Sequence, residues 1–277
     1  MSDNSMPSGA GEHLWRFRKS LPLRIRLQEV ARSLGDAEGL TCLDIGSTDG
    51  AFCHHLRRLG GKWDTVVANE ATAAVVRQVA PDNVYVFEGQ SLPFKKKSFD
   101  AVVVADSLER IPNDEAFIEE CHKLLKPDGK LIICVARLKP WSLIALLRRM
   151  FGQTFEKKGQ VRPGYSETAL FKVLKDGFDV HSVRMYSRFF VELTTVVVEA
   201  LRGRILARDG DERRLSLLYS ISCVFYWLAD QLDLLLFFNR GNYMIAMAKR
   251  RAWRPRKSPV LVDGRSISEA VLSKALN

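Results

Sequence analysis

The sequence predicts an α/β domain built on a mostly parallel sheet, and three observations carry that expectation. Short apolar runs alternate with helical patterns between residues 41 and 135, joined by brief connections; this is the rhythm of strand–helix–strand units covered on both faces. The first run leads into Leu43-Asp44-Ile45-Gly46-Ser47-Thr48-Asp49-Gly50 and then a helical stretch over 51–59, the way backbone meets a nucleotide-like ligand. The same glycine-bounded loop also serves a tight strand-to-helix turn with no ligand. The first four runs each finish at a carboxylate, namely Asp44, Glu70, Glu88 and Asp106, at the end of the sheet where open parallel sheets bind ligands.

With 277 residues, of which 47 % are hydrophobic and 27 % charged, the chain is globular in composition and suits one large domain or a domain with an appendage. Its formal net charge of +10 calls for an anionic partner, whether nucleic acid, membrane surface or acidic substrate. The five cysteines (Cys42, Cys53, Cys121, Cys134 and Cys223) are odd in number, widely spaced and without a Cys-x-x-Cys pair. They read as small buried hydrophobes in a reducing compartment rather than as disulfides or ligands. His54 and His55 are adjacent, so on a helix they diverge by about 100° and share no metal; no metal site is expected. Residues 1–12 lack the apolar core of a signal peptide, and the expected location is the cytoplasm.

In chain order, 13–27 interleaves Trp15, Phe17, Leu21 and Leu23 with Arg16, Arg18, Arg24 and Arg26. That pattern suits an anionic surface, a pocket cap or a plain amphipathic element on the core. Residues 27–34 read as a helix closed by Gly35. Strands follow at 41–45, 65–68, 84–87 and 101–105, with helices at 51–59, 71–79 and 115–125. The turn Lys126-Pro127-Asp128-Gly129 leads into a fifth strand at 130–135, and later strands are expected at 179–187 and 243–248. Four carboxylates on one rim would repel a pyrophosphate, which wants backbone donors and a helix N-terminus. A cationic ligand with several hydroxyls and no phosphate fits them.

These residues resemble the class I S-adenosylmethionine-dependent methyltransferases, in their small-molecule branch, over roughly 40–186 and the last strand. Ser98-Phe99-Asp100-Ala101-Val102 and Leu124-Leu125-Lys126-Pro127-Asp128-Gly129-Lys130-Leu131 are similar to that family's fourth- and fifth-strand entries. Gly164-Tyr165-Ser166-Glu167, with Leu170, Leu174, Gly177 and Phe178, resembles its helix and sixth-strand entry. The resemblance implies a Rossmann-like seven-stranded, mostly parallel sheet with an antiparallel last strand, and S-adenosyl-L-methionine as cofactor. It places Asp44, Gly46, Ser47, Thr48 and Gly50 in the methionine-side loop, with Glu70 and Ala71 at the ribose hydroxyls. Glu88, Gly89 and Gln90, from Phe87-Glu88-Gly89-Gln90-Ser91-Leu92-Pro93-Phe94, fall on the adenine side, and Asp106 and Ser107 at the end of the fourth strand.

Two departures bear on catalysis. Thr48 stands where the family commonly has glycine, and Arg110 where many relatives carry histidine. Without that imidazole the catalytic candidates are Glu109 and Tyr165, and Glu109 also reads as a solvated residue near a helix start. A sulfonium is already an activated leaving group, so in-line alignment supplies much of the rate. A base is required mainly when the attacking hydroxyl must lose its proton.

The remaining chain is less standard. Residues 140–151 carry Trp141, Ile144, Leu147 and Phe151 on one side, with Arg148 and Arg149 near the end. Between the last two strands lies an insertion, 190–238, where a hairpin would suffice. Its first half sets Glu192, Thr195, Glu199 and Arg202 in one polar stripe; its second half, 217–238, is the most hydrophobic stretch of the chain. Asp230 and Asp233, at roughly +2.5 to 3.5 kcal/mol each in a bilayer centre, argue against a span. The insertion reads as a lid over an apolar pocket, an element in a membrane interface or a dimer surface.

The sequence thus divides into a basic amphipathic segment (1–34), a cofactor-binding domain (35–189 and 239–252), the helical insertion and a basic tail (253–277), within which 266–276 reads as a short helix. The expected function is methyl transfer to a small hydrophobic or lipid-linked acceptor. Peripheral contact with the inner face of a membrane is expected through 140–151 and 190–238, with homodimerisation as another use of that surface. The alternative is a non-catalytic scaffold whose insertion binds a partner or membrane. Nucleic acid is disfavoured, since the added surface is apolar rather than basic and aromatic.

Overall fold

The structure is a computed structural model and describes residues 9–46, 50–87, 92–139, 142–208, 211–235 and 241–254. Seven strands form one sheet in the order β3-β2-β1-β4-β5-β7-β6. They are β1 (Thr41–Ile45), β2 (Lys62–Val67), β3 (Val84–Val86), β4 (Phe99–Ala105), β5 (Leu125–Ala136), β6 (Phe178–Tyr186) and β7 (Tyr243–Arg250). Strands β1 to β5 pair in parallel, and β7 runs antiparallel to both β5 and β6, as the sequence implied for the last strand. The central strands are buried nearly throughout, which is why they read as continuous apolar runs rather than alternating ones.

One face of the sheet carries α5 (Asp114–Leu124) and α7 (Glu167–Leu174), whose Phe117, Ile118, Leu170 and Leu174 join Leu43, Val102 and Leu131 in one cluster. The other carries α2 (Leu21–Leu34) and α3 (Ala51–Arg57), with α4 (Glu70–Val79) beside them at the β2–β3 edge. Each helix start has its chemical reason. Asn69, Asn113, Ser142 and Ser166 accept from backbone N–H groups in the first turns of α4, α5, α6 (Leu143–Met150) and α7, satisfying donors that helices leave orphaned.

The N-terminal stretch is two helices, α1 (Ala10–Lys19) and α2, where the sequence suggested a run to Leu27 and a short helix after it. The chain turns at Ser20, whose N–H reaches the carbonyls of Arg16 and Phe17, and Pro22 sits in the first turn of α2, where it needs no donor. This segment belongs to the core: Phe17, Val30 and Leu34 pack with Cys42, Phe52 and Leu56.

The insertion is a helical hairpin of α8 (Phe189–Arg208) and α9 (Glu212–Leu235), and α9 begins earlier than its hydrophobicity suggested. Asp233, buried near the end of α9, accepts from the N–H groups of Phe190 (2.8 Å) and Val191 (3.0 Å) at the start of α8. An acid that the sequence marked as a cost in a bilayer is therefore a cap supplied by the neighbouring helix. Trp15 of α1 meets Tyr219 of α9 edge to face at 6.0 Å, closing the hairpin onto the N-terminal helices. Trp253 rests on His122; the rest of the basic tail and the helix expected at 266–276 lie outside the described residues.

Candidate functional site

The carboxyl ends of β1, β2 and β4 bring the anticipated rim together, and its acids differ in disposition. Asp44 is fully buried and accepts from Cys53 Sγ at 3.1 Å, which ties β1 to α3. Glu70 lies at the start of α4 in an exposed stretch, 68–71, that includes Ala71; its side chain is 71 % exposed and pairs with Arg77. Asp106, at φ +51° after β4, pairs through Oδ2 with Arg26 of α2. Glu88, Gly89 and Gln90, and likewise Ser47 and Thr48, lie outside the described residues. The described rim acids differ: Asp44 is turned onto α3, Asp106 pairs with Arg26, and Glu70, although paired with Arg77, keeps the most exposed side chain of the three.

Gly46 shows why the first loop needs its glycine. At φ +103°, a Cβ there would come within 2.5 Å of Ser107 Cβ and 2.7 Å of the Ala105 carbonyl oxygen, so only a residue without a side chain lets β1 and β4 end side by side. Ser107 reinforces the contact by donating its hydroxyl to the Ile45 carbonyl at 3.2 Å. Gly50, at φ +72°, opens α3 where a Cβ would come within 3.1 Å of the Val76 backbone.

The catalytic candidates separate sharply. Glu109 sits in a single 3-10 turn, Leu108–Arg110, and is 1 % exposed, not solvated as its place near a helix start suggested. Its Oε1 accepts from the Ala136 N–H at 2.6 Å, while Oε2 is buried with no hydrogen-bond partner among the described residues. Burial, reinforced by the nearby Asp106 charge, pushes its carboxyl up to about 7, the range a general base wants near neutral pH. Sequence reasoning missed this because the burial comes from β5, distant in the chain.

Tyr165 is different. Its hydroxyl donates to Asp114 Oδ2 at 2.7 Å and is approached by Arg162. Burial and the Asp114 bond push its ionisation upward, so it holds the 162–165 loop against α5 instead of offering a base. Arg110, in the place of the family histidine, is exposed.

Behind Arg26 lies a cavity of about 170 Å³ between α2, the hairpin and the ends of β6 and β7. The polar stripe read from the sequence, Glu192, Thr195, Glu199 and Arg202, lines it. Tyr186 and Tyr243 stack at 5.6 Å on its sheet side, and Arg26 lies over Tyr243 at 5.9 Å. Glu192 is wholly buried, paired with Arg148 and accepting from the Ser187 hydroxyl at 2.9 Å. Arg148, near the end of the 140–151 stretch, therefore points inward. Arg26 links the cavity to the rim, since it lines the one and pairs with Asp106 of the other.

Sheet order, glycine turn and rim define a Rossmann-like ligand-binding domain. Residues 43–133 match the family described as a methyltransferase domain. Among curated relatives, the chain is 30 % identical over 132 residues to a ubiquinone biosynthesis O-methyltransferase of Alkalilimnicola ehrlichii, covering 44 % of this chain and 53 % of that one. It is 28 % identical over 112 residues to a demethylmenaquinone methyltransferase of Tropheryma whipplei, covering 38 % and 45 %. The chain thus spans about half the length of the curated relatives it matches. A solved S-adenosylmethionine-dependent methyltransferase from Mesorhizobium loti superposes with a TM-score of 0.53 at 17 % identity, covering 80 % of this chain and 96 % of that one. Residues 43–133 are thus a methyltransferase domain, and the sheet around them has the fold of the class I S-adenosylmethionine-dependent methyltransferases.

Proposed function

We propose that the protein binds S-adenosylmethionine at the β1–β2–β4 rim and transfers its methyl group to a small hydrophobic acceptor. The observation that carries this reading is Glu109, a buried carboxyl near Asp106 and Arg26 with one oxygen unpartnered among the described residues. The residues present fit the cofactor: Glu70, 71 % exposed, can exchange Arg77 for a ribose diol, and Asp106 Oδ1 is buried with no hydrogen-bond partner among the described residues. Gly46 and Gly50 bring bare backbone to the two ends of the first loop.

When bound, S-adenosylmethionine supplies a methyl group on a positively charged sulfur. The protein's own residues do the rest. Glu70 and the exposed start of α4 hold the ribose, and the backbone at Gly46 and Gly50 borders the methionine end. Tyr186, Tyr243 and Arg26 wall an aromatic, partly polar space that suits a ring-bearing acceptor. Glu109 Oε2 receives the proton that an acceptor hydroxyl loses as it attacks. With its carboxyl near neutrality, Glu109 is ionised often enough to act and basic enough to hold the proton. Support for a hydrophobic acceptor comes from the relatives named for quinone biosynthesis.

Calorimetry tests the cofactor site. The protein is expected to bind S-adenosylmethionine, and Glu70→Ala to weaken binding about tenfold to a hundredfold through lost charge-assisted hydrogen bonds. Thermal stability should hardly move, because an exposed ion pair contributes little. Unchanged affinity in the variant would reject Glu70 as the ribose ligand, and no binding by the parent protein would reject the function.

A further inference from the structure

The helix α9 is amphipathic the wrong way round for a soluble domain. Its inward stripe, packed on α8 and α1, carries hydroxyls and a carboxylate: Tyr219, Ser222, Tyr226 and Asp233 are buried. Its outward face carries Leu217, Ile221, Val224, Phe225, Trp227 and Leu228, all exposed, with Val224 at 66 % and Trp227 at 65 %. At about 100° per residue this apolar arc covers roughly half the helix circumference, wider than the narrow seam that pairs one helix with another. The arc extends onto neighbouring helices. Exposed Val197 and Leu201 lie on α8, and exposed Leu143, Leu146 and Met150 on α6, which is joined to α8 by Arg148–Glu192 and by Gln153 Nε2 donating to the Val196 carbonyl at 2.8 Å.

A broad apolar face shared by adjacent helices fits a plane, and the charges beside it say which plane. Exposed Arg149 ends α6, Arg204 and Arg208 end α8, and Arg213 opens α9, matching anionic headgroups. By length and composition α9 would cross a bilayer, with 33 % of its apolar window buried in the fold, but the packing forbids crossing. Asp233 is bonded to the start of α8, its carbonyl accepts from Arg188 at 2.9 Å, and Tyr219 is seated on Trp15. Held along its length, a helix of roughly 36 Å can immerse only its outward half.

We propose that α9, flanked by α6 and α8, lies flat in the headgroup region of an anionic lipid bilayer, with the sheet and the Glu109 site facing the aqueous side. This surface is independent of the cofactor site, so either can fail without the other.

Flotation of the full chain with vesicles provides the test, using phosphatidylcholine alone and phosphatidylcholine containing phosphatidylglycerol. The protein is expected to float with the anionic vesicles. Val224→Asp combined with Leu228→Asp should reduce that binding at least about tenfold, and Arg204→Glu with Arg208→Glu should reduce it by a similar factor at low salt. Calorimetry on the same variants should show cofactor affinity unchanged, which also verifies folding. Should the aspartate variant not fold, quenching of tryptophan fluorescence by brominated lipid, diminished in Trp227→Phe, reads the same immersion. Failure of the full chain to bind anionic vesicles would overturn the proposal. So would binding undiminished by these substitutions, or a dimer in light scattering that Val224→Asp and Leu228→Asp split into monomers.

Discussion

Replacing Glu109 by glutamine probes the site through stability as well as rate. The carboxyl is raised from its ordinary 4.5 to about 7, which corresponds to roughly 3 kcal/mol. At 1 % exposure there is little solvent to reduce that figure. The sign follows from the raised value. Below about pH 4.5 the group is protonated both folded and unfolded and costs nothing. As pH rises toward 7 the unfolded chain ionises it first, so the native state loses stability across that window. Glutamine keeps an acceptor for the Ala136 N–H and removes the titration. Glu109→Gln should match the parent near pH 4.5 and exceed it by about 3 kcal/mol at pH 8. For 277 residues, an unfolding entropy of about 0.6 kcal/mol/K turns this into roughly 5 °C in Tm. Urea melts at the two pH values measure it, and methyl transfer by the same variant should fall about a hundredfold or more. An equal effect at both pH values, or a variant less stable at pH 8, would refute the assignment of a buried, raised carboxyl.

Two further substitutions test how the fold holds the site. Asp233→Ala should destabilise by about 1–3 kcal/mol, since it strips the first N–H groups of α8 of their acceptors, and Asp233→Asn should fall between Ala and the parent, its amide offering one carbonyl oxygen where the two N–H groups use both carboxylate oxygens; an alanine variant with parental Tm would reject the cap. Gly46→Ala should cost about 3 kcal/mol or more, because the new Cβ meets Ser107 and Ala105 and the backbone is at φ +103°. A variant with parental Tm in calorimetry would show that β1 and β4 are not so tightly apposed.

The strand ends were legible because each apolar run stops at an acid and a turn. Legibility failed where partners are distant in the chain. Nothing near Asp106 in sequence announces Arg26, eighty residues earlier by number, within the basic and aromatic stretch that also suited an anionic surface. Glu109 looked solvated from its place near a helix start, yet it is buried against β5 at Ala136. The stripe Glu192, Thr195, Glu199 and Arg202 was visible as a pattern, but a helical period says only that a face exists, not what it faces.

The sequence by itself determined the strand–helix alternation, the glycine turn at Gly46, the acids at the strand ends and an apolar helix interrupted by aspartates. Those are local properties, set by period, backbone freedom and the chemistry of adjacent residues. The tertiary structure alone decided how exposed each rim acid is and what it pairs with, that Glu109 is buried, and that Asp233 caps α8. It also turned the hydroxyl-bearing side of α9 inward and its aliphatic side out. Burial and charge pairing are sums over neighbours brought together by folding, and no single stretch of chain contains them.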